Sequence, residues 1–129
     1  MKDNHMAICK SKVKSLREAD IKHSRPFKKE EFITIDWIQK ELNKLNNECI
    51  YCSCVLLLNG FDPYNPKQFS VDRIDNALPH HKSNCVVCCL NCNLKNSKTH
   101  PEKKWLNIQM MLIKKKMVLL EQLKKQYNL

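Results

Sequence analysis

The stretch that decides the fold runs from Ser70 to Lys98 and reads SVDRIDNALPHHKSNCVVCCLNCNLKNSK. Two short apolar runs, Phe69–Ile74 and Cys85–Cys88, predict two strands that are separated by a polar loop. A helix is expected next, from about residue 89 to residue 97. The stretch therefore predicts a hairpin followed by a helix, and the fold class is α+β.

Two Cys-x-x-Cys turns accompany this stretch, Cys49–Cys52 before it and Cys89–Cys92 inside it. Two such turns can present four thiolates in a tetrahedron, which is the ligand set of a structural Zn²⁺ ion. The charged N-terminus has no apolar segment typical of a secretory signal, so a metal site and an intracellular location are expected rather than a disulfide framework. The expected zinc ligands are Cys49, Cys52, Cys89 and Cys92.

The cysteine register leaves alternatives, because residues 85–88 (CVVC) form a third Cys-x-x-Cys pattern. The two β-branched residues within it suit a strand, whose side chains point to alternate faces instead of around an ion. This favours the pair Cys89 and Cys92. Three other thiols stay open as replacement ligands: Cys54, Cys85 and Cys88.

The positive charge lies at the two ends of the 129-residue chain, whose net charge is +10. Residues 1–30 and residues 100–129 each carry +5, whereas residues 31–99 are neutral. Basic segments favour a polyanionic partner, with nucleic acid the first candidate and an anionic membrane the second, and we expect DNA rather than a membrane. No apolar run approaches the roughly 18 residues needed to span a bilayer. Trimming both arms is expected to weaken DNA binding and leave the zinc content unchanged.

The three segments differ in their predicted structure. Residues 1–30 read as a loosely ordered lead with a short helix around Lys12–Ile21. A helix begins after Thr34, which is a suitable N-cap for the apolar face that follows. The sequence Thr99–Glu102 reads as a capping box before a helix of 20 or more residues. Its wide apolar surface indicates core packing or an oligomer contact, and a homodimer through this helix is possible.

The residues from about Thr34 to Lys98 resemble the HNH endonuclease family, in its zinc-knuckle branch with a D-R-I-D signature. The matching residues are D-R-I-D at 72–75, Asn84, and the second Cys-x-x-Cys turn with Asn93 directly after it. The resemblance implies a treble-clef-like ββα-metal core with structural zinc. The abundance of Lys and Asn favours a phage, viral or mobile-element origin.

The resemblance also implies a role for each matching residue. Asp72 and Asn93 would hold a catalytic Mg²⁺ or Mn²⁺ ion, since such ions prefer oxygen ligands. Asn84 would hold the loop that precedes the second strand. The activity implied is hydrolysis of DNA phosphodiester bonds.

The sequence departs from the family at the general base, because Arg73 stands where most members have histidine. Arginine has no acceptor atom and cannot take a proton from water, but it can clamp a phosphate. We expect His80 to act as the base, with His81 and Asp75 as alternatives.

A second departure concerns the lysines after the motif. The position three residues past Asn93, where the family commonly has lysine, is Asn96. Lys95 and Lys98 lie nearby and are the expected phosphate contacts. Lysines dominate the basic residues and read bases poorly, so weak sequence specificity is expected.

Three functions are consistent with these observations. The first is a metal-dependent endonuclease. The second is a catalytically inactive zinc-knuckle module that binds nucleic acid, which Arg73 favours. The third is a protein-interaction domain that uses the C-terminal helix.

Overall fold

The computed structural model describes residues 3–60 and 62–129 of the chain. It is an α+β structure of helices and one two-stranded antiparallel sheet. The elements in chain order are α1 (Asp3–Lys22), α2 (Ile35–Lys44), β1 (Phe69–Arg73), β2 (Cys85–Cys89), α3 (Leu90–Asn96) and α4 (Pro101–Gln126). The predicted hairpin followed by a helix is confirmed.

Helix α1 differs from the loose lead expected for residues 1–30. It is a continuous helix of 20 residues, and Ile8, Cys9 and Val13 of one face are buried in the same core as the rest of the molecule. Apolar residues that recur at helical spacing form such a face, although lysines separate them in the sequence. The expectation of a short helix in a loose segment is therefore wrong.

Helix α2 begins where the sequence predicts. The backbone N–H of Trp37 donates to the Thr34 hydroxyl at 3.1 Å, which satisfies one of the free donors of the first turn. Ile38 and Leu42 are buried on the inner face. This face covers the sheet from one side.

The hairpin places the start of β1 and the end of β2 at one end of the sheet, and the connecting loop at the other end. Phe69 pairs with Cys89 at one end, and Arg73 pairs with Cys85 at the other. Side chains on both faces are buried, and α2 and α3 contact the sheet, while α1 packs against α2. The Cys89 end leads into α3, and the Arg73 end opens into the loop of residues 74–84.

Helix α4 is 26 residues long, as the capping signal predicts, but its N-cap residue is His100, whose Nδ1 accepts from the backbone N–H of Glu102 at 3.2 Å. Lys104 and Ile108 are buried near its start. From residue 116 onward every residue is exposed, so the expected apolar stripe does not pack into this core. In the described part of the chain, no helix combines the length and apolar character needed to cross a membrane.

Candidate functional site

The four cysteines expected to bind zinc lie together at the Cys89 end of the hairpin. Their Sγ atoms are all within 4.8 Å of one another, and the Sγ atoms of Cys52 and Cys89 are 3.8 Å apart. Cys52 is exposed, whereas the other three are buried. Four thiols at these distances form a cluster that is compatible with a structural zinc ion.

Local backbone structure points the thiols inward. Cys89 ends β2 and caps α3, so its Sγ accepts from the backbone N–H of Cys92 at 3.4 Å. In the first turn the Cys49 Sγ accepts from the backbone N–H of Tyr51 at 3.4 Å. Ser53, the residue directly after the first turn, has a φ of 66°. This left-handed backbone favours glycine, and serine adopts it at a cost of roughly 1 kcal/mol.

The alternative register of cysteines is excluded by the strand. Cys85 and Cys88 lie within β2, opposite Arg73 and Ser70, and neither belongs to the cluster. Burial raises the pKa of the Cys85 and Cys88 thiols far above the usual value, which favours the neutral form. Cys54 lies beside the first turn, and burial raises its pKa to about 12.

The pKa of the Cys52 thiol is lowered, whereas the pKa values of these other thiols are raised. Partial burial raises its pKa, but hydrogen bonds from the backbone N–H of Cys54 and from neighbouring thiols outweigh burial and hold the pKa at about 7. A thiolate is the form that binds metal. The exposed member of the cluster is therefore readily ionised near neutral pH.

A cleft of about 380 Å³ lies near the other end of the sheet. Residues of α1, β1, the loop 74–84 and α3 line it together with Arg25. Four of the predicted site residues line this cleft: Asp72, Arg73, His80 and Asn93. The structure thus brings together side chains that lie more than 20 residues apart in the sequence.

Asp72 is almost fully buried and is held by two donors. The Tyr51 hydroxyl donates to Oδ2 at 2.7 Å, and the Lys104 ammonium donates to Oδ1 at 3.2 Å. Neither donor lines the cleft, and an ionised carboxylate keeps further lone pairs for other partners. Burial raises the pKa of the Asp72 carboxyl, although Tyr51 and Lys104 lower it.

Asn93 lies on the first half of α3 and faces strand β1. Its Nδ2 donates to the Ser70 hydroxyl at 2.7 Å and to the Val71 carbonyl at 3.4 Å. These bonds fix the orientation of the amide. Its Oδ1 has no hydrogen-bond partner among the described residues, and no buried side-chain oxygen there is unpartnered. The Oδ1 atom is therefore accessible to solvent.

Asn84 holds the loop between the strands. Its Oδ1 accepts from the backbone N–H of Asp75 at 2.9 Å, and its Nδ2 donates to the carbonyls of Asp75 and Pro79 at 3.0 Å. The Arg73 Nη1 donates to the carbonyl of Leu78 at 3.1 Å. The loop is thereby closed on itself, and the remaining N–H groups of Arg73 are left for other acceptors.

The three candidate bases occupy different surroundings. His80 lines the cleft and is 5% exposed. His81 does not line it, and its Nε2 accepts from the backbone N–H of Lys28 at 3.0 Å. The Asp75 carboxylate accepts from the backbone N–H of Ala77 at 2.9 Å, which is the turn-stabilising geometry of an Asx residue. Of the three, only His80 is placed in the cleft.

The predicted phosphate contacts Lys95 and Lys98 are exposed and lie outside the cleft. Lys95 instead lines a groove between the first cysteine turn and α4, beside Asn107 and Lys114. Asn93 of α3 and Ser97, the residue directly after α3, line the cleft. Neither of the two lysines therefore lines the cleft.

Sequence reasoning missed three charged residues around the cleft, namely Asp20, Arg25 and Lys104. All three lie outside the motif, and two of them, Asp20 and Lys104, have no exposed side-chain surface. A buried charge is rare unless it is paired, and both of these are paired: Asp20 contacts His80 and Arg25, and Lys104 contacts Asp72.

No protein-family model, curated protein or solved structure matches this chain.

Proposed function

We propose that this chain is a metal-dependent endonuclease of the HNH type, which hydrolyses phosphodiester bonds of DNA. One observation carries the proposal: Asp72, Arg73, His80 and Asn93 line a single cleft. Each of them is a residue type that phosphodiester hydrolysis requires, namely oxygen ligands, a cation and a proton acceptor. The HNH fold assignment rests on the same residues and on the hairpin-helix arrangement that carries them.

We further propose that the cysteine cluster holds a structural zinc ion. Tetrahedral Zn²⁺ with bonds of about 2.3 Å places its sulfur ligands roughly 3.8 Å apart. The Cys52–Cys89 distance of 3.8 Å supports this assignment. The ion would stabilise the junction between β2 and α3, and hence the position of Asn93.

Asp72 and Asn93 would hold a catalytic Mg²⁺ or Mn²⁺ ion. Their donor chemistry fits, since a carboxylate and an amide oxygen suit a hard cation that retains several waters. When bound, such an ion would stabilise negative charge on the phosphate and on the leaving oxygen. Tyr51 and Lys104 orient the carboxylate from outside the cleft, and Ser70 orients the amide.

Two guanidinium groups provide the anion-binding wall of the cleft. Arg73 and Arg25 both line it, and His23 lies beside them. A planar guanidinium can donate two parallel hydrogen bonds to a phosphate, which positions it as well as offsetting its charge. This arrangement suits Arg73 as a phosphate-binding residue, and Arg25 would be a second one.

His80 would accept the proton of the attacking water. Burial is the main cause that keeps the pKa of the His80 ring below its usual value, so the ring is neutral at physiological pH. The water proton passes to the ring, the hydroxide oxygen bonds to phosphorus, and the P–O3′ bond breaks. The 3′ oxygen then takes a proton from solvent.

The exposed lysines would hold the rest of the DNA through its phosphates. Lys95 and Lys98 are exposed at and after the end of α3, and the exposed end of α4 carries Lys116, Lys124 and Lys125. Phosphate contacts position a nucleic acid without reading its sequence. We therefore expect weak sequence specificity and a binding constant that falls steeply with salt.

A nicking assay on supercoiled plasmid with Mg²⁺ tests the proposed activity. Wild type should produce nicked circles, and Asn93→Ala should reduce the rate at least about 100-fold, because it removes a ligand and leaves Asp72 alone. Asn91→Ala is the matched control, since Asn91 is exposed on the same helix and outside the cleft. No nicking by wild type, or equal rates for both variants at equal zinc content, would refute the proposal.

The alternative is a non-catalytic zinc module that binds nucleic acid. One contact favours it: the Lys104 ammonium already neutralises Asp72 at 3.2 Å. In that case Asp72 would serve to attach α4 to the sheet rather than to hold a divalent ion. Salt-dependent DNA binding without cleavage under Mg²⁺ or Mn²⁺ would favour this function over the first.

A further inference from the structure

The last turn of α1 carries a carboxylate that reaches the loop of the cleft from more than fifty residues away in the sequence. Asp20 has no exposed surface. Its Oδ2 accepts from the backbone N–H of His80 at 2.8 Å, and its Oδ1 lies 2.8 Å from the His80 Nδ1. Asp20 therefore holds both the backbone and the ring of His80, which lines the cleft.

Arg25 completes the environment of this carboxylate. Its Nε donates to the Asp20 Oδ1 at 2.7 Å, and the chain after α1 turns back so that the Arg25 backbone N–H donates to the Asp20 carbonyl at 2.8 Å. Burial tends to raise the pKa of Asp20, but the bonds from His80 and Arg25 outweigh it and lower that pKa. Asp20 is thus an ionised carboxylate, which only accepts hydrogen bonds.

An acceptor at this position determines which ring nitrogen of His80 carries the proton. A neutral imidazole has one N–H and one bare nitrogen, so the contact of Nδ1 with a carboxylate places the proton on Nδ1. The other nitrogen, Nε2, has no hydrogen-bond partner among the described residues, where no buried side-chain nitrogen is unpartnered. Nε2 is therefore accessible and carries the free lone pair of a cleft residue.

The neighbouring histidine, His81, does not share this arrangement. The His81 Nε2 accepts from the backbone N–H of Lys28, and the His81 Nδ1 lies 3.6 Å from Glu31, whose side chain is 53% exposed. His81 thus uses its bare nitrogen in a structural contact. Of these two adjacent imidazoles, His80 alone has both a buried carboxylate on Nδ1 and a free Nε2.

We propose that Asp20 is a positioning residue of the site: it fixes the His80 ring with Nε2 as the proton acceptor that faces the cleft. The inference rests on the proposed function, and it makes α1 part of the catalytic unit rather than a basic arm. Asp20 itself touches neither water nor phosphate in this account. Its contribution passes entirely through the orientation and tautomer of His80.

Long-range ¹H–¹⁵N spectra of protein labelled with ¹⁵N-histidine test the inference without an activity measurement. The His80 signals are assigned by their loss in His80→Gln. We expect the wild-type ring to be protonated at Nδ1 and bare at Nε2. A wild-type His80 ring protonated at Nε2 instead would overturn the proposal.

Asp20→Asn tests the same point in the nicking assay. Its amide can still accept from the His80 backbone N–H, but an N–H group facing Nδ1 favours the opposite tautomer. We expect the nicking rate to fall about 100-fold or more and the ring proton to move to Nε2. Glu31→Gln is the matched control beside His81, and we expect no change in rate.

The outcomes separate this inference from the proposed function. If wild type cleaves and folded Asp20→Asn cleaves equally well, Asp20 has no positioning role although the enzyme assignment stands. If wild type does not cleave, the proposed function fails, while the wild-type ring spectrum still decides whether Asp20 fixes the His80 tautomer. Should Asp20→Asn not fold, that spectrum and His80→Gln decide the question by themselves.

Discussion

The cysteine cluster and the cleft stand near opposite ends of one two-stranded sheet, and they are assembled in different ways. The four cysteines come from two short turns, and within each turn a backbone N–H group donates to a cysteine Sγ two or three residues away. The cleft combines β1, the loop and α3 with α1, while α4 reaches Asp72 from outside it. Each pair of cysteine ligands is therefore set by one short turn, whereas the cleft takes single side chains from several elements.

This contrast has an energetic side. A metal ion held by four thiolates can supply much of the folding free energy of a small unit by itself. The cleft contains charges that are stable only in pairs, because removing one partner leaves the other buried and uncompensated. Substitutions in the cysteine cluster should therefore lower stability through loss of the metal ion, whereas substitutions around the cleft should do so by leaving a buried charge unpaired.

The largest effect is expected at the cysteine cluster. Cys49→Ser or Cys92→Ser should abolish zinc binding and cooperative unfolding, because three remaining thiolates hold the ion poorly. Zinc content by mass spectrometry and thermal unfolding measure this. Cys54→Ser is the control, since Cys54 lies beside the cluster but outside it, and should retain one zinc per chain. A normal zinc content in Cys92→Ser would show that the cluster is not the ligand set.

The next effect concerns α1, which the cleft needs and the cysteine cluster does not. Val13→Asp places a carboxylate in the core and should lower the free energy of unfolding by at least about 4 kcal/mol. The adjacent exposed residue gives the control Lys14→Asp, with a change below about 0.5 kcal/mol. Urea unfolding measures both. Equal effects would mean that α1 is the loosely attached arm that the sequence suggests, and that trimming it would leave the core intact.

The buried ion pair behind the cleft should show strong coupling. Lys104→Met leaves Asp72 without its charged partner and should cost about 3 kcal/mol of unfolding free energy. The double variant Asp72→Asn with Lys104→Met should recover most of this loss, because Tyr51 can still donate to the amide oxygen. A double-mutant cycle measures the coupling. Additive effects would indicate that the two groups do not interact as described.

The smallest effect on stability is expected at the end of α4. Deletion of residues 116–129 removes only exposed residues and should change the unfolding free energy by less than about 1 kcal/mol. It also removes three lysines, so the slope of log binding constant against log salt on duplex DNA should fall by about 2–3. Sedimentation of the same pair of proteins tests the predicted homodimer. An unchanged salt slope would exclude this segment from DNA binding.

The sequence predicts the local part of the molecule well. The spacing of the cysteines identifies the cluster, and the strand character of residues 85–88 selects the correct pair. Thr34 and the apolar residues after it predict α2. These signals succeed because each is a short pattern: a cap and its N–H partner lie three residues apart, and each cysteine pair fits one turn, although the two cysteine turns lie far apart in the sequence.

The long-range contacts around the cleft could not be predicted from the sequence, and the reason is physical. Asp20 and Lys104 are charged residues in polar surroundings, and such residues are normally exposed. Their burial follows from partners that lie far along the chain, His80 for one and Asp72 for the other. No local pattern identifies such a partner, so α1 reads as a loose arm and His80 cannot be distinguished firmly from His81.

The most direct test of the central claim separates the two metal sites in one nicking experiment. Zinc-loaded wild type is freed of weakly bound divalent ions and incubated with supercoiled plasmid, before and after Mg²⁺ is restored at constant zinc content. We expect no nicking before the addition and nicked circles after it. Nicking that proceeds at full rate with zinc alone, or none under any divalent ion, would contradict it.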